Sequence, residues 1–79
     1  MTKQEIIEKI DHFLIDEMEI DGEKVAPTAD LRDDIGIDSL DYVDIAAFVK
    51  KTFGFKIQSE DFEKIRTLGE FYEFLDSKL

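Results

Sequence analysis

Between Leu40 and Phe53 the apolar residues return on nearly every side of a helical wheel: Leu40, Val43, Ile45, Ala46, Ala47, Phe48, Val49 and Phe53. A helix of that kind is either surrounded by its own protein or gives a second apolar face to partners. The pattern therefore predicts a central helix over about Ser39–Thr52, with the rest of the chain arranged around it. Asp38 stands where an N-cap belongs. Asp41 follows three residues later, where an acidic side chain suits the exposed N–H groups of a first turn. Lys50 and Lys51 suit the negative end of the macrodipole, and Gly54 is placed to stop the helix in the left-handed conformation. Ser39 falls at the junction between an irregular segment and this helix. Its hydroxyl is expected to be exposed, and a phosphate joined to it would meet the positive end of the dipole. On position alone an ordinary N1 or N-cap serine is the better explanation, because such serines are common.

Three further helices are legible. Thr2 and Glu5 form a capping-box pattern ahead of Ile6, Ile7, Ile10, Phe13, Leu14 and Met18, which predicts a first helix over about Lys3–Met18 with one apolar stripe. Glu5 and Lys9 are an i,i+4 pair in the favoured orientation. Ser59 is expected to cap a short third helix with Glu60 and Asp61 in its first turn, but Phe62 and Ile65 give it an apolar edge too short to hold alone. Thr67 and Glu70 repeat the capping box ahead of Leu68, Phe71, Tyr72 and Leu75, a last helix ending near Lys78, with Gly69 weakening its first turn. Asp21-Gly22 marks a turn. From Glu23 to Gly36 no period is sustained, so a long connection is expected, anchored by Val25, Leu31 and Ile35, with Thr28 or Asp30 opening a short turn. The expected fold is all-α: a small up-down four-helix bundle with a long first loop and a short third helix, one domain over residues 1–79.

Charge and composition exclude several functions. Twenty acidic and ten basic residues leave a net charge of -10 on 79 residues. Binding nucleic acid through phosphates needs clustered Lys and Arg, so that role is not expected. The charge suits basic partner surfaces, and it equally suits solubility alone. There is no cysteine, hence no disulfide, thiol nucleophile or thiolate metal site. No apolar run reaches the length of a membrane span and Met1–Glu5 has no apolar leader pattern, so a cytoplasmic monomer is expected. A calcium loop fails in both registers: starting at Asp30 the sixth position is Ile35 instead of Gly, and starting at Glu17 the last ligand falls on Thr28. No metal site is expected. His12, the one histidine, lies on the polar edge of the first helix with no triad-like partner, and Ser39 has no identifiable base. No nucleophile elbow or phosphate loop is present either, so a non-catalytic protein is expected.

The run Gly36-Ile37-Asp38-Ser39-Leu40-Asp41 resembles the phosphopantetheine attachment motif of acyl carrier proteins, whose hallmark is Asp-Ser-Leu after a glycine turn. Val43 and Asp44 follow in the family's hydrophobic-acidic order, and Phe53, Ile57, Ile65 and Thr67 fall where the family has later apolar and capping residues. The resemblance covers most of the chain, most specifically Leu31–Leu75, and it accounts for the long first loop. It implies that a phosphopantetheinyl transferase uses coenzyme A to attach 4'-phosphopantetheine to Ser39, with Asp38 and Leu40 helping recognition. It further implies that Asp41, Val43 and Asp44, with Leu40 and Ala47, form a docking face for acyl-loading, condensing and other biosynthetic enzymes. The short third helix lines the family's acyl cavity, which places Phe62 and Ile65 at its border opposite Val49; simple core packing explains each of them equally. Lys50, Lys51 and the small Ala47 depart from the pattern of fatty-acid-synthesis carriers and point to a carrier dedicated to a separate pathway. Phe48 and Phe62 are bulkier than the family's common choices, and either shorten the pocket or rotate into the core. Two other readings remain: a carrier of amino acids for peptide synthesis or cell-wall modification, and an unmodified acidic helical adaptor.

Overall fold

A computed structural model describes all 79 residues. It contains four α-helices and no strand: α1 (Lys3–His12), α2 (Ser39–Phe53), α3 (Ser59–Lys64) and α4 (Leu68–Lys78). Helix α1 opens with the expected box. The Glu5 N–H donates to Thr2 Oγ1 at 3.2 Å and the Thr2 N–H donates back to Glu5 Oε1 at 3.1 Å. The chain continues past His12 in a wider π turn over Phe13–Glu17, closed by the Met18 N–H on the Phe13 carbonyl at 3.1 Å. The predicted extent of the first helix therefore holds almost to its end, but its last turn is wound differently. Phe13 stacks flat on Phe48 of α2 at that point, with ring centroids 4.1 Å apart. Glu19 then takes a left-handed φ of 57° and stops the helix, a conformation disfavoured for a side chain with a Cβ.

Sixteen residues form one core, every one of them hydrophobic. Ile6, Ile10 and Leu14 come from the first helical segment, Ile45 and Val49 from α2, and Leu68, Phe71, Tyr72 and Leu75 from α4. Each fully buried Leu, Ile or Phe contributes about 1.5–3 kcal/mol relative to exposure, more than a single cap. Helix α1 packs on α4, and the contact is finished by a Lys3–Glu73 ion pair and by the Tyr72 hydroxyl donating to Asp11. Burial pushes the Asp11 carboxyl above its ordinary range, with the Tyr72 hydrogen bond opposing; burial first, then Asp11, pushes the Tyr72 hydroxyl up.

The long connection is stapled down instead of hanging free. Leu31 and Ile35 are buried as expected and Val25 is half-buried; Ala29 and Ile37 join them. Asp30, not Thr28, opens the turn: its Oδ1 accepts from the N–H groups of Arg32 and Asp33, both at 2.9 Å. Those two bonds, Asp33 foremost, hold its carboxyl below the ordinary range, aided by Arg66 Nε at 3.1 Å. Backbone bonds tie the loop to the start of α4. Leu31 N–H meets the Arg66 carbonyl at 2.9 Å, Leu68 N–H the Ala29 carbonyl at 3.0 Å, and Gly69 N–H the Pro27 carbonyl at 2.9 Å. A Cβ on Gly69 would stand 2.9 Å from that same oxygen, so the glycine that weakens the helix is required by the close approach of the loop.

The third helix corrects one expectation. Ser59 is its first helical residue and not its cap. Gln58 holds the N-cap position in extended conformation, with no side-chain hydrogen bond. The helix starts one residue earlier than the serine signal suggested, which leaves the Ser59 side chain at the mouth of a cleft described below.

Candidate functional site

Helix α2 begins where the sequence placed it. Gly36 has φ 88°, the turn that only glycine takes without strain, and Ile37 is buried and bonded by its N–H to the Leu31 carbonyl at 2.8 Å. The chain therefore enters the helix from a fixed anchor. Asp38 Oδ1 accepts from Leu40 N–H at 2.9 Å and from Asp41 N–H at 3.1 Å; Asp41 Oδ2 accepts in return from Asp38 N–H at 3.1 Å. Both acidic side chains are thus committed to the helix end. Ser39, the first residue of the helix, is exposed and its hydroxyl is not used in the cap. The arrangement leaves that hydroxyl exposed on a well-capped helix end.

From Ser39 the helix exposes a strip of the residues singled out above. Leu40 is 79% exposed and Val43 63%, values that decide between the two readings of the all-round apolar helix: its second face is open to solvent. Asp44 and Ala47 are exposed beside them and Asp41 is half-buried. Leu40, Val43, Asp44 and Ala47, at spacings of three, four and seven, share one side of the helix. The strip runs into a groove of about 520 Å³ between α2 and the end of α1, lined by His12, Phe13, Met18, Asp44, Ala47, Phe48 and Lys51 among others. His12 does have a partner, Asp16, at 2.7 Å, but both side chains are largely exposed and the pair is a surface one.

A second, smaller cleft of about 230 Å³ opens beside Ser39. It is lined by Arg32, Ile37, Asp38, Ser39, Tyr42, Ser59, Phe62 and Glu63. Tyr42 is fixed there by its hydroxyl donating to the Ile57 carbonyl at 2.8 Å. Of the three residues expected around an acyl cavity, Phe62 lines this cleft, while Val49 and Ile65 are buried in the core and do not reach it. Sequence reasoning missed Arg32, Tyr42 and Ser59. Tyr42 carried a signal, since a tyrosine in the first turn of a buried helix needs a partner for its hydroxyl. Arg32 carried none.

The site fits a phosphodiester-linked group by its geometry: an exposed hydroxyl, a helix N-terminus whose dipole favours an anion, and an adjoining cleft with both polar and aromatic walls.

Comparison with known proteins agrees with that geometry. The family model for the phosphopantetheine attachment site matches residues 8–75. The chain is 34% identical over 79 residues to an acyl carrier protein of Thermosynechococcus vestitus, covering 100% of this chain and 98% of the other. It is 35% identical over 78 residues to an acyl carrier protein of Thermotoga maritima, covering 99% and 96%. An acyl carrier protein of Petrotoga mobilis is 35% identical over 79 residues, covering 100% and 93%.

Proposed function

The chain belongs to the acyl carrier protein family and bears 4'-phosphopantetheine, and from that premise we propose that Ser39 is the attachment residue and that the protein carries acyl intermediates between biosynthetic enzymes. The observation that carries this reading is the exposed Ser39 hydroxyl, left out of a doubly bonded cap at the first position of α2. When bound, the prosthetic group supplies a thiol, which this cysteine-free chain lacks, and with it thioester chemistry.

The protein's own residues hold and present. Asp38 and Asp41 fix the first turn, so the Ser39 hydroxyl reaches the transferase on a rigid helix end. The dipole of α2 favours a phosphodiester on Ser39. Leu40 and Val43 give visiting enzymes an apolar contact, flanked by Asp41 and Asp44, which steer basic surfaces toward it. Tyr42, Ser59 and Phe62 form walls against which a carried group can lodge. A tethered group meets each docked enzyme at high effective concentration, which is the whole contribution of a non-catalytic carrier. We assign it to the cytoplasm as a monomer of one domain; none of its helices is long and apolar enough to cross a membrane.

The pathway we favour is a dedicated one, apart from housekeeping fatty-acid synthesis. Lys50 and Lys51 are exposed at the end of the docking helix, and Lys51 lines the groove that continues the docking strip. A partner matched to this face meets acidic charge at one end and basic charge at the other.

Intact mass after incubation with coenzyme A and a broad-specificity phosphopantetheinyl transferase tests the assignment, with Ser39→Ala alongside. One phosphopantetheine gained by the parent and none by the variant is expected. Gain by both moves the site elsewhere. No gain by either, on folded protein with several transferases, overturns the reading in favour of an unmodified adaptor. Loading with fatty and amino acids then separates an acyl carrier from an amino-acid carrier.

A further inference from the structure

Phe62 and Ile37, both core residues, wall the cleft beside Ser39 together with Tyr42, and one arginine holds the Phe62 helix in place. Arg32 Nη1 donates to the Ile65 carbonyl at 3.0 Å, and Nη2 donates to the Phe62 carbonyl at 3.2 Å. These oxygens lie at the C-terminal end of α3: the Phe62 carbonyl also accepts from the Ile65 N–H at 3.1 Å, and the Ile65 carbonyl is held by Arg32. The guanidinium carbon also stands 5.6 Å from the centroid of the Phe62 ring, within cation–π range. A single side chain from the long loop thus holds both the backbone and the aromatic ring of α3. The helix has few other restraints: it is six residues long and has no side-chain cap at its start.

Phe62 is the partition. It lines the cleft, lies tilted against Tyr42 at 5.3 Å between centroids, and meets Phe71 edge-on at 6.0 Å. Phe71 is fully enclosed in the core. A carried chain that passes from the cleft into the core on the Phe62 side displaces that ring from Tyr42 and Phe71 and draws the end of α3 away from Arg32. We propose that Arg32 is a positioning residue that sets how far a group carried on Ser39 reaches into the protein, pinning α3 and Phe62 so that this carrier shelters short acyl groups, lodged in the cleft outside the Phe62 ring. The proposal rests on the carrier reading for its cargo, but not for the latch itself. The two carbonyls account for the direction in which the guanidinium is spent: it is tied to α3, and its charge is shared with the face of Phe62. Lysine cannot reproduce this, because an ammonium lacks the planar fork that reaches two acceptors at once.

The experiment has two arms on the full chain. In the first, amide hydrogen exchange is followed without any cargo in the parent, Arg32→Met and Arg32→Lys. Exchange of the Phe62 and Ile65 amides is expected to rise about tenfold or more in Arg32→Met, the loss of two charge-assisted bonds, with α1 and α4 unchanged and Arg32→Lys in between. Equal exchange of α3 in all three proteins overturns the latch. In the second arm, acyl groups of two, four and eight carbons are loaded, loading is verified by intact mass, and the rise in Tm over the unloaded form is read. The parent is expected to gain nothing beyond four carbons, while Arg32→Met continues to gain up to eight. Phe62→Leu, which keeps the backbone carbonyls for Arg32 and removes only the ring, is expected to extend the profile as well, and it serves if Arg32→Met does not fold. Identical chain-length profiles in the parent and the variants overturn the specificity role even where exchange has quickened. If Ser39 takes no group at all, the mass shows it, and the carrier reading fails separately from the latch.

Discussion

Helices α3 and α4 are neighbours in the chain, and each opens with acidic residues in its first turn, yet they are held in opposite ways. Helix α4 carries its own instructions. Thr67 caps it by accepting from the Glu70 N–H at 3.2 Å, and four of its residues enter the core. Helix α3 has an N-cap residue, Gln58, whose side chain makes no capping bond, one core residue within its span, and a C-terminal end held by Arg32 from a distant loop. One helix is specified by its own segment; the other is specified by what surrounds it. The self-specified helix is part of the scaffold with α1, and the borrowed one walls the cleft beside Ser39. Local autonomy goes with stability here, and dependence goes with a place where the structure can open.

The contrast can be broken most forcefully at Leu75, which is fully buried in α4. Leu75→Ala is expected to cost about 2–5 kcal/mol in urea unfolding and to lower protection everywhere, because α4 belongs to the global unit. A loss confined to α4 sinks that assignment. Gly69→Ala comes next. On helix propensity alone it should stabilise by about 1 kcal/mol, but the new Cβ meets the Pro27 carbonyl oxygen at 2.9 Å, so a loss of about 1–3 kcal/mol is expected. The sign of the change in the urea midpoint decides between the two effects. Thr67→Ala removes the cap of α4 and is expected to cost about 1 kcal/mol by the same measurement. Gln58→Ser gives α3 the cap it lacks, in a backbone conformation already suited to it, and is expected to slow exchange in α3 for a gain of about 0.5–1 kcal/mol. No slowing there would show that the start of α3 is not its weak end.

The smallest effect is in pH. Asp30 titrates below its ordinary value in the folded protein, so its contribution is present above the ordinary carboxylate range and is lost as pH falls through the lowered value. Asp11, at the α1–α4 contact, is raised. Its contribution is complete below the ordinary value and is lost as pH rises through the raised one. Asp30→Asn is therefore expected to flatten the acid side of the stability curve, while Asp11→Asn, which still accepts from Tyr72, removes a loss on the neutral side. Melting curves between pH 3 and 7 give both slopes, and equal slopes for the two variants contradict the assignment.

How much of this was legible beforehand follows the same division. The α1, α2 and α4 starts were readable because cap and partner lie within three residues of each other: Thr2 with Glu5, Asp38 with Asp41, Thr67 with Glu70. The exposed strip of α2 was readable as one of two alternatives, since a helix apolar all round does not say which side its neighbours cover. What escaped were contacts made across the chain. Gly69 looked like a minor weakness because the Pro27 backbone that demands it is remote in sequence. The π turn over Phe13–Glu17 lies where Phe13 meets Phe48, a pairing that the spacing of α1 cannot encode. Arg32 was invisible because its partners are carbonyl oxygens, which every residue has. Ser59 was misplaced by one residue because serine is a better cap than glutamine, yet Gln58 holds the cap position.

The staple between the long loop and the start of α4 also sets an order of assembly. Arg66 and Asp30, joined across it, are 36 residues apart along the chain. Closing a loop of that length costs about 3 kcal/mol of chain entropy before any contact repays it. Helix α2, whose caps are local, can form while that loop is still open; the cleft beside Ser39 cannot, because its Arg32 wall and its Phe62 wall come from the two sides of the closure. The cleft is thus expected to be the last part of the molecule to take shape and the first to come apart, so that the hydroxyl offered to a modifying enzyme is ready before the shelter for its cargo exists.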